Sequence, residues 1–217
     1  MAGKGFFDLR TMLVVSFKDP PPDPRSRRRL VHLLGLFTLI GFGGSGLFLI
    51  AIGQQRDLRQ VLFGSGDIGS QIMIGLAAGL GIAAVAWGII SRPFMKRVRV
   101  HYADMIGPLM AHPFDRFFIS LCAGVREESF FRGALQFWLG IPITAIVFVA
   151  VHGYLDPRNW RISIYGTMMT LAMILLGWLA DRFGLLAPMI AHFLIDLVLL
   201  QKLNSDSALR SDRQDQS

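Results

Sequence analysis

Apolar residues gather in six runs along this chain, at roughly 30–52, 71–91, 115–139, 142–155, 161–181 and 184–202, with short polar connections between them. Four or five of the runs reach the length of about 20 residues that carries a helix across about 30 Å of hydrocarbon, at about 1.5 Å per residue. The pattern predicts an all-α membrane protein, a bundle of about six transmembrane helices. The fourth run is short, starting at Pro142 and ending before Pro157. It crosses only if its cytosolic end sits in a funnel or a thinned region. Residues 1–29, with Pro20, Pro21, Pro22 and Pro24 followed by Arg25, Arg27, Arg28 and Arg29, read as a cytosolic, interfacial or disordered lead-in. Residues 203–217 read as a loose polar tail, which leaves 30–202 as the membrane domain.

Charge orients the bundle. With the N-terminus inside, 17 Lys and Arg fall in the inside connections and 3 in the outside ones. This supports six crossings with both termini cytosolic, in a plasma or cytoplasmic membrane. Glycines in the first two runs, among them Gly43, Gly46, Gly75 and Gly79, have the spacing of close helix packing.

Composition agrees with a membrane setting. Hydrophobic residues make up 53% of 217 and charged residues only 17%, more apolar material than a soluble domain of this length can bury. The net charge of +7 lies between the apolar runs and not along one stripe, so anionic lipid headgroups are the expected partner and nucleic acid is not. The single cysteine, Cys122, rules out an intramolecular disulfide.

Within the third run stand Arg126, Glu127, Glu128 and Arg132, four charges in seven residues. Each costs roughly 2.5–3.5 kcal/mol at mid-membrane, so the cluster needs compensation and a purpose. Glu128 and Arg132 are one turn apart and pair. Glu127 lies about 100° around the helix from Glu128 and should face the bundle interior, since adjacent Arg126 points away from it. His152 ends the fourth run, and His192 and Asp196 share a face of the sixth. Counting down from the outer helix ends puts Glu127, His152 and His192 about 18, 15 and 12 Å deep, in one layer between helices 3, 4 and 6 that should open to the cytosol. Cys122 reads as a packing residue, and His32, His101 and His112 as interfacial.

A carboxylate and two imidazoles in a partly dry pocket suit activation of water: Glu127 as base, His152 orienting the water, His192 stabilising an oxyanion. A bound metal, with zinc the natural candidate and Glu127, His152 and His192 as ligands, is the alternative within hydrolysis. The residues leave open whether there is zinc or no cofactor at all.

The ordered motifs Glu127-Glu128-x-x-x-Arg132, Phe148-x-x-x-His152 and His192-x-x-x-Asp196 resemble the CPBP family. That family comprises type II CAAX prenyl proteases related to the Ras-converting endopeptidase, and bacterial relatives that include bacteriocin-immunity proteins. The likeness covers about 115–202. It implies an intramembrane endopeptidase acting on a peptide or membrane-protein substrate. Glu127 would be the base, His152 would hold the water, His192 and position 196 would form the oxyanion site, and Glu128 with Arg132 a supporting pair. The sequence departs from the family at Asp196, where Asn is usual; an ionised Asp repels an oxyanion that an amide would stabilise. Two other readings compete: a non-catalytic scaffold or immunity protein, and a proton-coupled transporter in which Glu127, His152 and His192 relay protons. No inverted repeat supports transport.

Overall fold

The computed structural model describes residues 23–107 and 109–215, helical in all its regular elements and without a strand among them. The proline-rich stretch expected as a lead-in lies largely outside the described residues. Helix α1 (Pro24–Thr38) starts with Pro in its first turn, where the missing N–H costs nothing. It runs on through wide π-type turns at Leu39–Gly43 and Leu49–Gly53. A short α2 (Leu58–Phe63) leads to α3 (Ile68–Ile90) and then to α4 (Lys96–Ile106). Next come α5 (Pro113–Glu127), a wide-turned stretch at Glu128–Leu135, and α6 (Gln136–Val151). Helices α7 (Trp160–Phe183) and α8 (Leu186–Asp215) complete the chain.

Five helical stretches are long and apolar enough to cross a membrane: Arg25–Gly53, Ile68–Ile90, Pro113–Val151, Trp160–Phe183 and Leu186–Ser207. Their outer faces carry large apolar side chains in the open, such as Phe37 at 74% exposure and Met73 at 65%. Water would not tolerate that surface and lipid requires it. This is a multi-pass membrane protein.

The stretch Pro113–Val151 is not one rod. Gly140 has φ 72° and ψ 169°, outside the helical region and open to glycine alone, and Pro142 follows it. A straight helix would hold Glu127 and His152 about 37 Å apart, yet their side chains meet at 3.5 Å. The chain therefore folds back at Gly140. The return limb, residues 141–151, is about 16 Å long, half the hydrocarbon depth. The fourth apolar run thus stops midway, and its end delivers His152 to the middle of the bundle.

Contacts sort the helix ends into two faces. Arg28 pairs with Asp115 at 3.1 Å, Arg99 with Asp206 at 3.1 Å, and Phe94 stacks on Trp160 at 5.6 Å. The N-terminal end of α1 and the C-terminal end of α8 therefore share one face. At the other face Leu185 N–H donates to Val61 O at 3.0 Å and Gln54 Nε2 to Ala134 O at 2.9 Å. The expected loose tail is helical instead: Leu203 is buried, Asp206 is tied to Arg99, and α8 runs on to Asp215. His32, expected to be an unremarkable interfacial residue, places Nε2 2.8 Å from buried Asp115.

Small residues set the packing distances. A Cβ on Gly75 or Gly79 of α3 would meet backbone oxygens of Ala187 or Ala191 on α8 at 2.6–2.7 Å, and one on Gly46 would meet the Ser129–Phe130 backbone at 2.8 Å. Backbones so close give the dispersion contact that holds helices together in lipid.

Candidate active site

The site forms where the wide turns of Glu128–Leu135 begin, a type of helix irregularity common at functional positions. Glu127 directs Oε2 at two imidazoles: His152 Nε2 lies 3.5 Å away and His192 Nε2 3.6 Å. Each histidine has its other nitrogen engaged. His152 Nδ1 donates to Phe148 O at 2.6 Å, a bond that the four-residue spacing makes available. His192 Nδ1 donates to Glu128 Oε1 at 2.6 Å. Both rings are thus fixed with Nε2 towards Glu127. His192 bridges the two adjacent glutamates, one at each nitrogen.

The supporting pair is as expected from one-turn spacing. Arg132 Nη1 lies 3.2 Å from Glu128 Oε1, with side chains 1% and 0% exposed. Arg132 also donates to Met173 Sδ at 2.7 Å and lies 4.6 Å over the ring of Phe148. Phe148 stacks on His152 at 4.3 Å and meets His192 edge-on at 5.7 Å. It forms an apolar floor beneath both imidazoles, with the buried Arg132 on it.

Two arrangements differ from expectation. Arg126 does not point away from Glu127: its long side chain folds back, and Nε and Nη2 donate to Oε1 at 3.2 and 2.8 Å. Its Nη1 donates to Thr38 Oγ1 on α1. Oε1 is thereby occupied and Oε2 faces the histidines. Asp196 Oδ2 lies 3.8 Å from His192 Nε2, within reach of the same nitrogen that faces Glu127. Thr38 lies 88 residues from its partner, and no local pattern points to it. Cys122 is buried and free.

Glu127, His152, His192 and Asp196 all line one cavity of about 340 Å³, whose other walls are mainly aliphatic. His152 and Asp196 are about one-third exposed, so the cavity opens on their side; Glu127 and His192 sit deeper, at 10% and 6%. Its mouth is flanked by α4 and the end of α8, on the face that carries the Arg28–Asp115 and Arg99–Asp206 pairs. Two imidazoles and a carboxylate are a suitable donor set for zinc. Among the described residues, however, no three His, Cys, Asp or Glu side chains are grouped so as to hold a metal ion.

A multi-pass helical membrane protein with a carboxylate–imidazole cluster in a mid-depth cavity is the class that fold and site define. The sequence model of the Rce1-like family, type II CAAX prenyl endopeptidase Rce1-like, matches residues 110–198. The match contains every member of the cluster except Thr38. An uncharacterized protein of Bacillus subtilis (strain 168), YpbD, is 35% identical over 101 residues, which cover 46% of this chain and 50% of that protein. The chain thus spans about half the length of this curated relative. No solved structure matches the chain significantly.

Proposed function

We propose that this protein is an intramembrane endopeptidase in which Glu127 activates the attacking water. The observation that carries the reading is the convergence of His152 Nε2 and His192 Nε2 on one oxygen of Glu127, in the wall of a cavity. The family match supports a peptidase over a scaffold or a transporter.

A water beside Oε2 gives a proton to Glu127 as its oxygen bonds to the carbonyl carbon of the scissile amide. His152, its Nδ1–H committed to Phe148 O, accepts the water's second hydrogen at Nε2 and so aims the lone pair. His192 has carboxylates at both nitrogens, Glu128 on one side and Glu127 and Asp196 on the other, which provide the counter-charge for a doubly protonated ring. Its Nε2–H then donates to the oxyanion. As the tetrahedral species collapses, the C–N bond breaks and the proton on Glu127 passes to the departing amine. Asp196 acts here through His192 as a positioning residue, and not as the donor that Asn would be. Arg126 holds Oε1 and turns Oε2 to the water.

The 17-to-3 bias of Lys and Arg supports a cytosolic placement of the cavity mouth and of both chain ends, in contact with anionic lipid. The test is cleavage of membrane-tethered and CAAX-type peptides by purified protein beside Glu127→Gln, with and without a strong chelator. Fragments from the wild type alone support the reading, and persistence under chelator supports water activation by Glu127 itself. Wild-type cleavage that survives in Glu127→Gln would discard Glu127 as base.

A further inference from the structure

The cavity contains a second constellation that the proposed chemistry leaves idle. The chain has three tyrosines, and all three line this one cavity: Tyr102 on α4, Tyr154 in the α6–α7 connection and Tyr165 on α7. Their rings stand in file, Tyr102 to Tyr154 at 6.5 Å and Tyr154 to Tyr165 at 5.3 Å, and Tyr154 lies nearly parallel to His152 at 6.2 Å. The middle of the file therefore lies beside the water-orienting imidazole. The wall around it is aliphatic, with Val98, Ile106 and Leu199.

A buried phenol normally finds a hydrogen-bond partner. Among the described residues none of these three hydroxyls is a sealed-off polar group without a partner, so they are open to the cavity they line. Burial lifts the Tyr102 phenol above its ordinary value, which keeps it a neutral O–H donor. An apolar wall bearing a row of neutral donors lacks only a row of acceptors. A lipid chain offers none. A peptide segment drawn out of its helix offers one carbonyl oxygen per residue, and in an apolar setting each carbonyl needs a donor.

We propose that Tyr102, Tyr154 and Tyr165 form a main-chain cradle that binds an extended, apolar peptide segment by its carbonyl oxygens and leads the scissile amide to Glu127. The identity of the occupant rests on the endopeptidase reading above; the cradle itself is testable without turnover. Because the contacts are to main chain, recognition tolerates many sequences and selects for extended, aliphatic segments. The Arg99–Asp206 pair ties α4 to α8 and so keeps Tyr102 in the file.

The test uses Glu127→Gln protein in detergent with a dansylated, amidated nonapeptide of Leu, Val and Ala, binding read by fluorescence. Tyr→Phe keeps each ring and removes only the hydroxyl. Each single change is expected to weaken binding about five-fold, and the triple change about 100-fold, as for neutral hydrogen bonds lost one at a time. Labelling of buried Cys122 checks that each variant is folded. A peptide with alternate amides replaced by esters, weaker acceptors, should bind Glu127→Gln less well and the triple variant no differently from its amide parent. Equal binding by Glu127→Gln and the folded triple variant, or no binding by either, would overturn the cradle. Tyrosine-dependent binding without wild-type cleavage would overturn the endopeptidase reading and leave the cradle standing. Cleavage with tyrosine-independent binding would do the reverse.

Discussion

Arg132→Met isolates what the buried ion pair contributes. The substitution keeps most of the aliphatic stem but removes the guanidinium that lies 3.2 Å from Glu128 and 4.6 Å over the Phe148 ring. Glu128 is 0% exposed, so no solvent replaces the lost partner. Breaking one side of such a pair costs about 3–5 kcal/mol. The hydrogen bond from His192 Nδ1 to Glu128 Oε1 survives and places the expected value at the lower end of that range. In a chain of this size each kcal/mol moves the midpoint by about 2–4 °C, so a fall of roughly 6–12 °C is expected. Cys122 is the single cysteine and is 3% exposed, so a thiol-reactive fluorogenic dye in detergent reports unfolding directly. Glu128→Gln in the Arg132→Met background removes the stranded charge and should restore at least half of the lost midpoint. A midpoint for Arg132→Met within about 2 °C of wild type, or losses that simply add in the double variant, would refute the pairing argument.

Other consequences can be checked separately. Thr38→Val removes the acceptor on Arg126, loosens its hold on Glu127 Oε1, and should lower peptide cleavage about ten-fold with less than about 1 kcal/mol lost in stability; Thr38→Ser should retain activity. Gly140→Ala finds open space for its Cβ but must hold φ at 72°, so it should destabilise by about 1–2 kcal/mol, read by the same Cys122 assay. Asp67 caps α3 and its carboxyl is held below the ordinary value by the Ser70 backbone N–H. The cap's contribution is therefore present above the unfolded-state value and lost as pH falls through the lower folded one. Unfolding midpoints measured from pH 6 down to pH 3 should show Asp67→Asn losing less than wild type over the acid end.

The parts of this architecture that follow from local rules were legible in the residues. Glu128 and Arg132 sit one helical turn apart, and the pair is as the spacing requires. Depth counting alone put Glu127, His152 and His192 in one layer, because rise per residue is nearly constant in any helix. The brevity of the fourth run and its start at Pro142 were legible, but it was expected to cross; that it stops midway, after a reversal at the positive φ of Gly140, was not. Contacts made across sequence distance were not legible. Nothing near Thr38 marks it as the anchor of Arg126, and the adjacency rule that set Arg126 apart from Glu127 fails because an arginine is long enough to fold back over its neighbour. Likewise the tyrosine file joins a loop and two helices, and Asp206 orders the end of α8 through a partner on α4. Periodicity registers which face a residue takes, and only tertiary packing decides what it meets there.

The most direct test of the central claim is a double-substitution cycle on Glu127 and His152 in proteoliposomes, scored by initial rates of peptide cleavage. If Glu127 Oε2 and His152 Nε2 hold one water between them, Glu127→Gln should lower the rate about 100- to 10,000-fold, and His152→Ala added to it should cost little more. Strictly multiplicative losses, or cleavage by Glu127→Gln near the wild-type rate, would show that the two residues do not act on the same water.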